Sequence, residues 1–257
     1  SKTTSDLIQR TGPFFDSFIL GYDNPFIPQN LRDPIDTFIA ENPGQTSADS
    51  VNILVGRDIT DFGSQIITSK RETMRFVSGF DGEISGTPWT YSAYATYGRT
   101  ESDTDLTGQL LLDRFYAAAD VVADGQGNPV CRSELDPSAT PPGSALSSGG
   151  PFRGFETFTP GQGACQPLNL FGVGAPSQAA IDFITTDLRR ERTIEQTVIS
   201  GFLSGDSSSF LTLPGGPIAI VGGAEFRLEE SIFVADALDS PRPDSLPETS
   251  RSALAVR

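Results

Sequence analysis

The sequence predicts an all-β chain of antiparallel strands and hairpins, forming part of a transmembrane β-barrel whose long loops carry short helices. Three observations predict it. Apolar and polar residues alternate over unusually long stretches, the turns at one end of these stretches are short, and the connections at the other end are very long. A spanning strand takes about 9 to 11 residues, whereas a soluble strand takes about 5 to 6, so the length of the alternation favours the barrel. The competing architecture is a soluble sandwich, in which the same apolar faces would meet a second sheet.

Taken in chain order, Asp33 as N-cap with Pro34 at the first helical position predicts a short helix that holds Ile35, Phe38 and Ile39 and ends at Asn42-Pro43-Gly44. Residues 51–57 and 64–68 read as a small hairpin around Asp58-Ile59-Thr60-Asp61. The first long strand is 72–84, with Met74, Phe76 and Phe80 on one face and Arg75, Val77, Gly79 and Asp81 on the other. The turn Ser85-Gly86-Thr87-Pro88 leads into 89–100, where Trp89, Tyr91, Ala93, Ala95 and Tyr97 alternate with Thr90, Ser92, Tyr94 and Thr96. A second hairpin has arms 192–204 and 217–229 around a turn within 206–216. Its returning arm sets Ile218, Ile220, Ala224, Phe226 and Leu228 against Val221, Glu225, Arg227 and Glu229. Trp89 and Tyr91 beside the short turn fit an interfacial girdle; on a soluble sheet they would be ordinary β-formers. Residues 240–257 read as a further loop.

Roughly ninety residues separate the hairpins, far more than a connection requires, so this segment is expected to be functional or to carry its own structure. Leu110, Leu111, Arg114, Phe115, Ala118, Ala119 and Val122 have helical spacing, which Asp124-Gly125-Gln126-Gly127-Asn128 stops. A second short helix starts from Ser177 as N-cap and runs through Ile181 and Ile184. Residues 136–163 are rich in Ser, Pro and Gly and read as a surface excursion. Cys131 and Cys165 bracket that stretch. They are too far apart for a CxxC pair and too few for a cluster, so one loop-closing disulfide is the economical reading against two free thiols.

Composition narrows function by exclusion. The chain has 18 Lys and Arg against 33 Asp and Glu, a net charge of −15, which argues against a nucleic-acid partner. It has no histidine, so His-dependent triads, zinc sites and proton shuttles are ruled out, and no enzyme activity, catalytic residue or cofactor is expected. No run of about 18 apolar residues makes a spanning helix, and the first residues do not form a signal peptide. Gly205-Asp206-Ser207-Ser208 reads as turn chemistry rather than a nucleophile motif, and Gly172-Val173-Gly174 lacks the third glycine of a dinucleotide fingerprint. Asp120, Asp124 and Asn128 offer oxygens to calcium without the EF-hand spacing. Glu225, Arg227 and Glu229 share a face as lumen-facing residues would, or as a cross-strand ion-pair ladder would. Phe152, Phe155, Phe158 and Phe171 suit either ligand contact or packing of the loop against itself.

Several strings resemble the barrel of TonB-dependent outer-membrane receptors: Asp23-Asn24-Pro25-Phe26-Ile27-Pro28, the strand from Arg75 to Gly82 before Trp89-Thr90-Tyr91, Tyr97-Gly98, and Val130-Cys131-Arg132. Cys165-Gln166-Pro167-Leu168-Asn169-Leu170-Phe171-Gly172, Leu213-Pro214-Gly215-Gly216-Pro217 and Gly223-Ala224-Glu225-Phe226-Arg227 continue the resemblance in family order. The subgroup it resembles, in Gram-negative bacteria, has a Cys pair in its large extracellular loop. The resemblance implies energy-coupled uptake of a scarce nutrient (an iron chelate, cobalamin or oligosaccharide), with outer-membrane lipid and the TonB energy-transducing complex as partners, the latter reached through a plug. It also implies about 22 strands in the whole barrel, of which 1–257 would be a partial domain, with 106–188 a long extracellular loop and the plug absent. On its own such a piece would transport nothing. The rival from another class is a secreted or surface β-protein that binds or adheres without transport; internal repeats would favour it, and none is evident.

Overall fold

The computed structural model describes residues 2–10, 18–42, 51–141, 157–238 and 248–256. About half of the chain is strand (51%) and 17% is helix, with antiparallel pairing, so the all-β reading holds at that level. In chain order the elements are β1 (Lys2–Arg10), β2 (Phe18–Gly21), α1 (Gln29–Glu41), β3 (Asn52–Val55), β4 (Ser64–Glu83), β5 (Thr90–Leu110), α2 (Leu112–Ala119), β6 (Val121–Ala123) and β7 (Pro129–Cys131). They continue with α3 (Arg132–Leu135), α4 (Gln178–Ile184), β8 (Thr185–Asp206), β9 (Thr212–Leu213), β10 (Gly216–Pro217), β11 (Ala219–Ala235) and β12 (Glu248–Val256).

One six-stranded sheet runs in the order β1-β4-β5-β8-β11-β12. It is open, and its described strands do not close into a barrel. The two expected hairpins form its centre, with strands of 17 to 22 residues, longer than alternation alone marked. Between β4 and β5 the Ile84 N–H bonds the Trp89 carbonyl at 2.8 Å and the Thr87 N–H bonds the Ile84 carbonyl at 3.0 Å. Gly86 takes φ +75° there, a conformation that a side chain would strain. β8 and β11 pair without a break from Ala219↔Asp206 to Ala235↔Arg190.

Four expectations change. Residues 248–256, expected as loop, pair with β11 from Glu225↔Val256 to Phe233↔Glu248. The small hairpin of 51–57 with 64–68 does not form: β3 pairs instead with β2, from Phe18↔Val55 to Gly21↔Asn52, and Ser64 opens β4. Between them Thr60–Phe62 makes a 3-10 turn that buries Phe62, an apolar anchor the turn reading overlooked. α1 begins at Gln29 after Pro28, so Pro34 lies inside it rather than at its start. Its first turn is held from outside, because Arg32 donates to the carbonyls of Tyr22, Asn24 and Ile27. Pro43 and Gly44 lie outside the described residues. Finally, the helix read through Val122 stops at Ala119, and Val122 is in β6.

The chain divides into two compact units. The first comprises Ser1–Asp6, Thr68–Asp105 and Arg189–Arg257; the second comprises Leu7–Ile67 and Leu106–Leu188. Every buried hydrophobic residue among those described belongs to the second unit. There α2 turns Phe115, Ala117, Ala118 and Ala119 inward against Leu20, Phe62, Leu168, Leu170, Ala180, Phe183 and Ile184. The alanines leave room for close backbone approach, and the Leu168 N–H bonds the Ala118 carbonyl at 2.8 Å. α4 starts as expected, with the Ser177 hydroxyl accepting from the Ala180 N–H at 3.2 Å.

Candidate functional site: an uncharged sheet band and a bridged loop unit

In the first unit the geometry follows from strand register. β11 places Phe226 opposite Ile199, Gly222 opposite Leu203 and Ile220 opposite Gly205, so these pairs share one face. Trp89 lies over Gly205 on that face, where a Cβ would come within 2.5 Å of the indole. Tyr91 lies over Gly82 and meets Phe80 edge-on at 6.1 Å. The opposite face repeats the device, with Tyr94 over Gly79 and Phe202 over Gly223. Glycine beneath a cross-strand ring lets the aromatic cover the backbone that its missing side chain would expose.

The first face is uncharged over a defined height. Met74, Phe76, Phe80 and Ile84 on β4 and the loop after it stand beside Trp89, Tyr91, Ala93, Ala95 and Tyr97 leading into β5, then Ile199 and Leu203, then Ile220, Ala224, Phe226 and Leu228. Along β11 the band runs nine residues from Ile220 to Leu228, about 26 Å of strand at 3.3 Å per residue. Charge begins at Glu72, Arg99, Glu195 and Glu230; Arg99 pairs with Glu195 across strands at 3.2 Å. Towards the turns there is none: 84–98, 196–205 and 207–224 contain no charged residue. Among the described residues of this unit no hydrophobic side chain is buried, so no second sheet covers the band.

The opposite face is mixed. Val221 and Phe202 are exposed on it beside Glu225, Arg227 and Glu229. Arg227 bridges Glu225 at 3.2 Å and Glu229 at 3.9 Å, and the Gln196 amide donates to Glu229 at 2.6 Å. The ion pairs therefore run along one strand, not across strands as the ladder reading had it; Gln196 supplies the cross-strand tie.

The second unit is closed covalently: Cys131 and Cys165 are bonded, with Cα atoms 6.2 Å apart, as expected. Glu134 reinforces the closure by accepting from the N–H groups of Gly163 and Cys165 at 2.7 and 3.0 Å. Beside it the structure joins two strings that the sequence held far apart. Arg132 donates to both carboxylate oxygens of Asp23 at 2.8 and 2.7 Å, and its Nε faces Asp120 at 3.1 Å. The buried Asn24 amide donates to the Ala119 carbonyl at 3.1 Å while its oxygen accepts from the Phe26 N–H at 3.0 Å. A Cβ at Gly21 would sit 2.6 Å from Asp23 Oδ1, so a side chain there would displace the carboxylate that Arg132 holds. Asp120 is 5% exposed, and burial pushes its carboxyl above the usual range against the pull of Arg132.

The remaining candidate chemistry is absorbed by structure. Asp120 faces Arg132, whereas Asp124 accepts from the Asn128 N–H at 2.8 Å, the Asn128 side-chain amide at 3.1 Å and the Gln126 N–H at 2.8 Å, bonds that hold its carboxyl below the usual range. The described residues hold no group of three His, Cys, Asp or Glu side chains arranged for a metal. The loop at Gly172-Val173-Gly174 is pinned by the ion pair of Arg57 and Asp61: Arg57 donates to the Gly172 carbonyl at 3.0 Å, and Asp61 accepts from Gly174 at 2.9 Å. Phe158 and Phe171 pack against the core, with Phe158 meeting Phe183 edge-on at 5.2 Å; Phe152 and Phe155 lie outside the described residues. Ser207 is buried in its turn.

Searches against protein-family models, curated proteins and solved structures return no match for this chain.

Proposed function

We propose that this chain is a barrel segment of an outer-membrane receptor of the TonB-dependent kind, working in energy-coupled uptake of a scarce nutrient in a Gram-negative bacterium. The observation that carries this reading is the uncharged band: on β11 it runs for nine residues, Ile220 to Leu228, and a tilted strand that spans a membrane takes about 9 to 11. Aromatic residues at its turn end and charge at its other end are what two membrane interfaces select. The polar face with Glu225, Arg227 and Glu229 would then line the lumen, and the bridged excursion 106–188 would select the ligand.

The test is made on the complete protein in Gram-negative cells. Recovery with the outer membrane, with loss of uptake of one nutrient class on deletion and on collapse of the proton gradient, supports the reading. Recovery as a soluble secreted protein with uptake unchanged overturns it in favour of an adhesive or binding β-protein. Replacing 136–163 by a short Gly/Ser linker is expected to leave insertion intact while weakening uptake.

A further inference from the structure

The two hairpins of the sheet solve the same problem at different length. Six residues, 84–89, lie between β4 and β5, whereas twelve, 207–218, lie between β8 and β11. A hairpin needs about 2 to 5 residues, so the second turn has a surplus that folding does not explain.

That surplus is built rather than slack. The Ser207 N–H bonds the Ile218 carbonyl at 3.0 Å, and the Ser207 hydroxyl accepts from the Ile218 N–H at 2.9 Å and donates to the Leu211 carbonyl. The N–H groups of Phe210 and Leu211 return to the Ser207 carbonyl at 3.0 and 2.7 Å. β9 and β10 add a small ladder, Leu213 with Gly216 and Thr212 with Pro217. Asp206 caps the entry by accepting from the Ser208 N–H at 2.8 Å.

This framework displays apolar side chains outward. Phe210 is 69% exposed, and Leu211, Leu213 and Ile218 are all exposed. An apolar cluster fixed in the exposed state is disfavoured in water unless something covers it. Two features identify the cover. The chain carries no charge from Ser207 to Ala224, which removes the polar rim that a protein interface would use. The cluster also continues directly into the uncharged band through Ile218 and Ile220.

We infer that the turn 207–218 is a lipid anchor: Phe210, Leu211 and Leu213 enter the headgroup and acyl boundary of the phospholipid leaflet at the turn end of the barrel. The inference rests on the outer-membrane reading and goes beyond it by giving this turn a lipid ligand. Residues of this kind lie at the boundary because an aromatic or aliphatic body gains from acyl contact while the backbone of the turn keeps its own hydrogen bonds.

The experiment uses the complete protein in vesicles of phosphatidylethanolamine and phosphatidylglycerol. A nitrobenzoxadiazole label is attached, without reductant, to Phe210→Cys, to Leu213→Cys, or to Ala95→Cys in the middle of the band. Lipids brominated near the headgroup are expected to quench the labels at 210 and 213 about twofold, the response of interfacial groups. Lipids brominated near the bilayer centre should quench the label at 95. Quenching at 95 with none at 210 and 213 overturns the anchor and leaves the barrel reading standing. No quenching at any of the three overturns both. If one turn variant fails to insert, the other carries the test.

Discussion

The two units of this chain are held together by opposite means. The second has a buried core built around Phe115 and the alanines of α2, a disulfide, and a guanidinium clasp between Asp23 and Asp120. The first has long ladders, rings lying over glycines, and no buried hydrophobic residue among those described. The difference teaches that a sheet and a core are separable sources of order. Hydrogen-bonded register fixes which residues share a face in the first unit, while among the described residues no hydrophobic side chain of that unit is buried. The second unit supplies its own cover, and so it can present a loop such as Gly172–Gly174 in a fixed place.

The comparison breaks most visibly at the disulfide. Replacing Cys131 and Cys165 with serine opens a loop of sequence separation 34. On the loop-entropy account this costs about 3 to 4 kcal/mol. Thermal melting monitored in both units should show the loss in the second alone; equal loss in the first would mean that the two do not have separate sources of stability.

Next comes the clasp. Arg132→Ala leaves Asp120 buried without its cation, at an expected cost of about 2 to 3 kcal/mol, read by denaturant titration. Asp120 also makes this region pH-dependent. Its folded pKa is raised, chiefly by burial, so the native state binds this proton more tightly than the unfolded chain, whose carboxyl titrates at about 3.8. Its contribution is therefore fully present below that value and is lost as pH rises through the higher folded pKa. Asp120→Asn should flatten that part of the stability profile while keeping an acceptor for Arg132. A profile unchanged in D120N would assign the dependence to other carboxylates.

Legibility from sequence follows the same division. The hairpins of the first unit were readable because alternation is local: each of Trp89, Tyr91, Ala93, Ala95 and Tyr97 announces the next. β12 was not, since Glu248-Thr249-Ser250-Arg251 has little alternation of its own and becomes a strand only by pairing with β11. In the second unit the Ser177 cap and the cysteine pair were readable as local or countable signals. The clasp was not, because Asp23 and Arg132 are 109 residues apart and neither string says what it binds. The only hint was that Asp23-Asn24 sits beside Pro25 and Arg132 beside Cys131, polar groups placed next to residues that fix the backbone. Pro34 misled because proline at a helix start is the commoner arrangement, and the side chain of Arg32 that steadies the earlier turn acts through carbonyls the pattern cannot show.

A further substitution probes the sheet's own devices. Gly205→Val drives a side chain into the Trp89 ring, which a Cβ would already approach to 2.5 Å, and should cost about 1 to 3 kcal/mol as overpacking does. Trp89 is the chain's single tryptophan, so its emission reports the displacement directly. An unshifted spectrum with unchanged stability would show that the ring does not depend on the glycine.

The smallest effect expected is at Arg227. Its partners Glu225 and Glu229 are on the same strand, so no strand pairing is lost with it, and all three side chains are about a third or more exposed. Ion pairs this exposed contribute about 0 to 1 kcal/mol, because water screens the attraction and ordering three long side chains offsets part of it. Arg227→Gln should therefore lower stability by less than about 1 kcal/mol, and the difference from wild type should shrink further in high salt. The backbone ladder beneath it, with Arg227 opposite Val198, keeps the register that places Phe226 and Leu228 on the uncharged face. A cost well above that range, insensitive to salt, would mean that this face is shielded from bulk water by another part of the protein. The first unit would then have a cover of its own on the polar side, and the contrast between the two units would narrow to the apolar side alone.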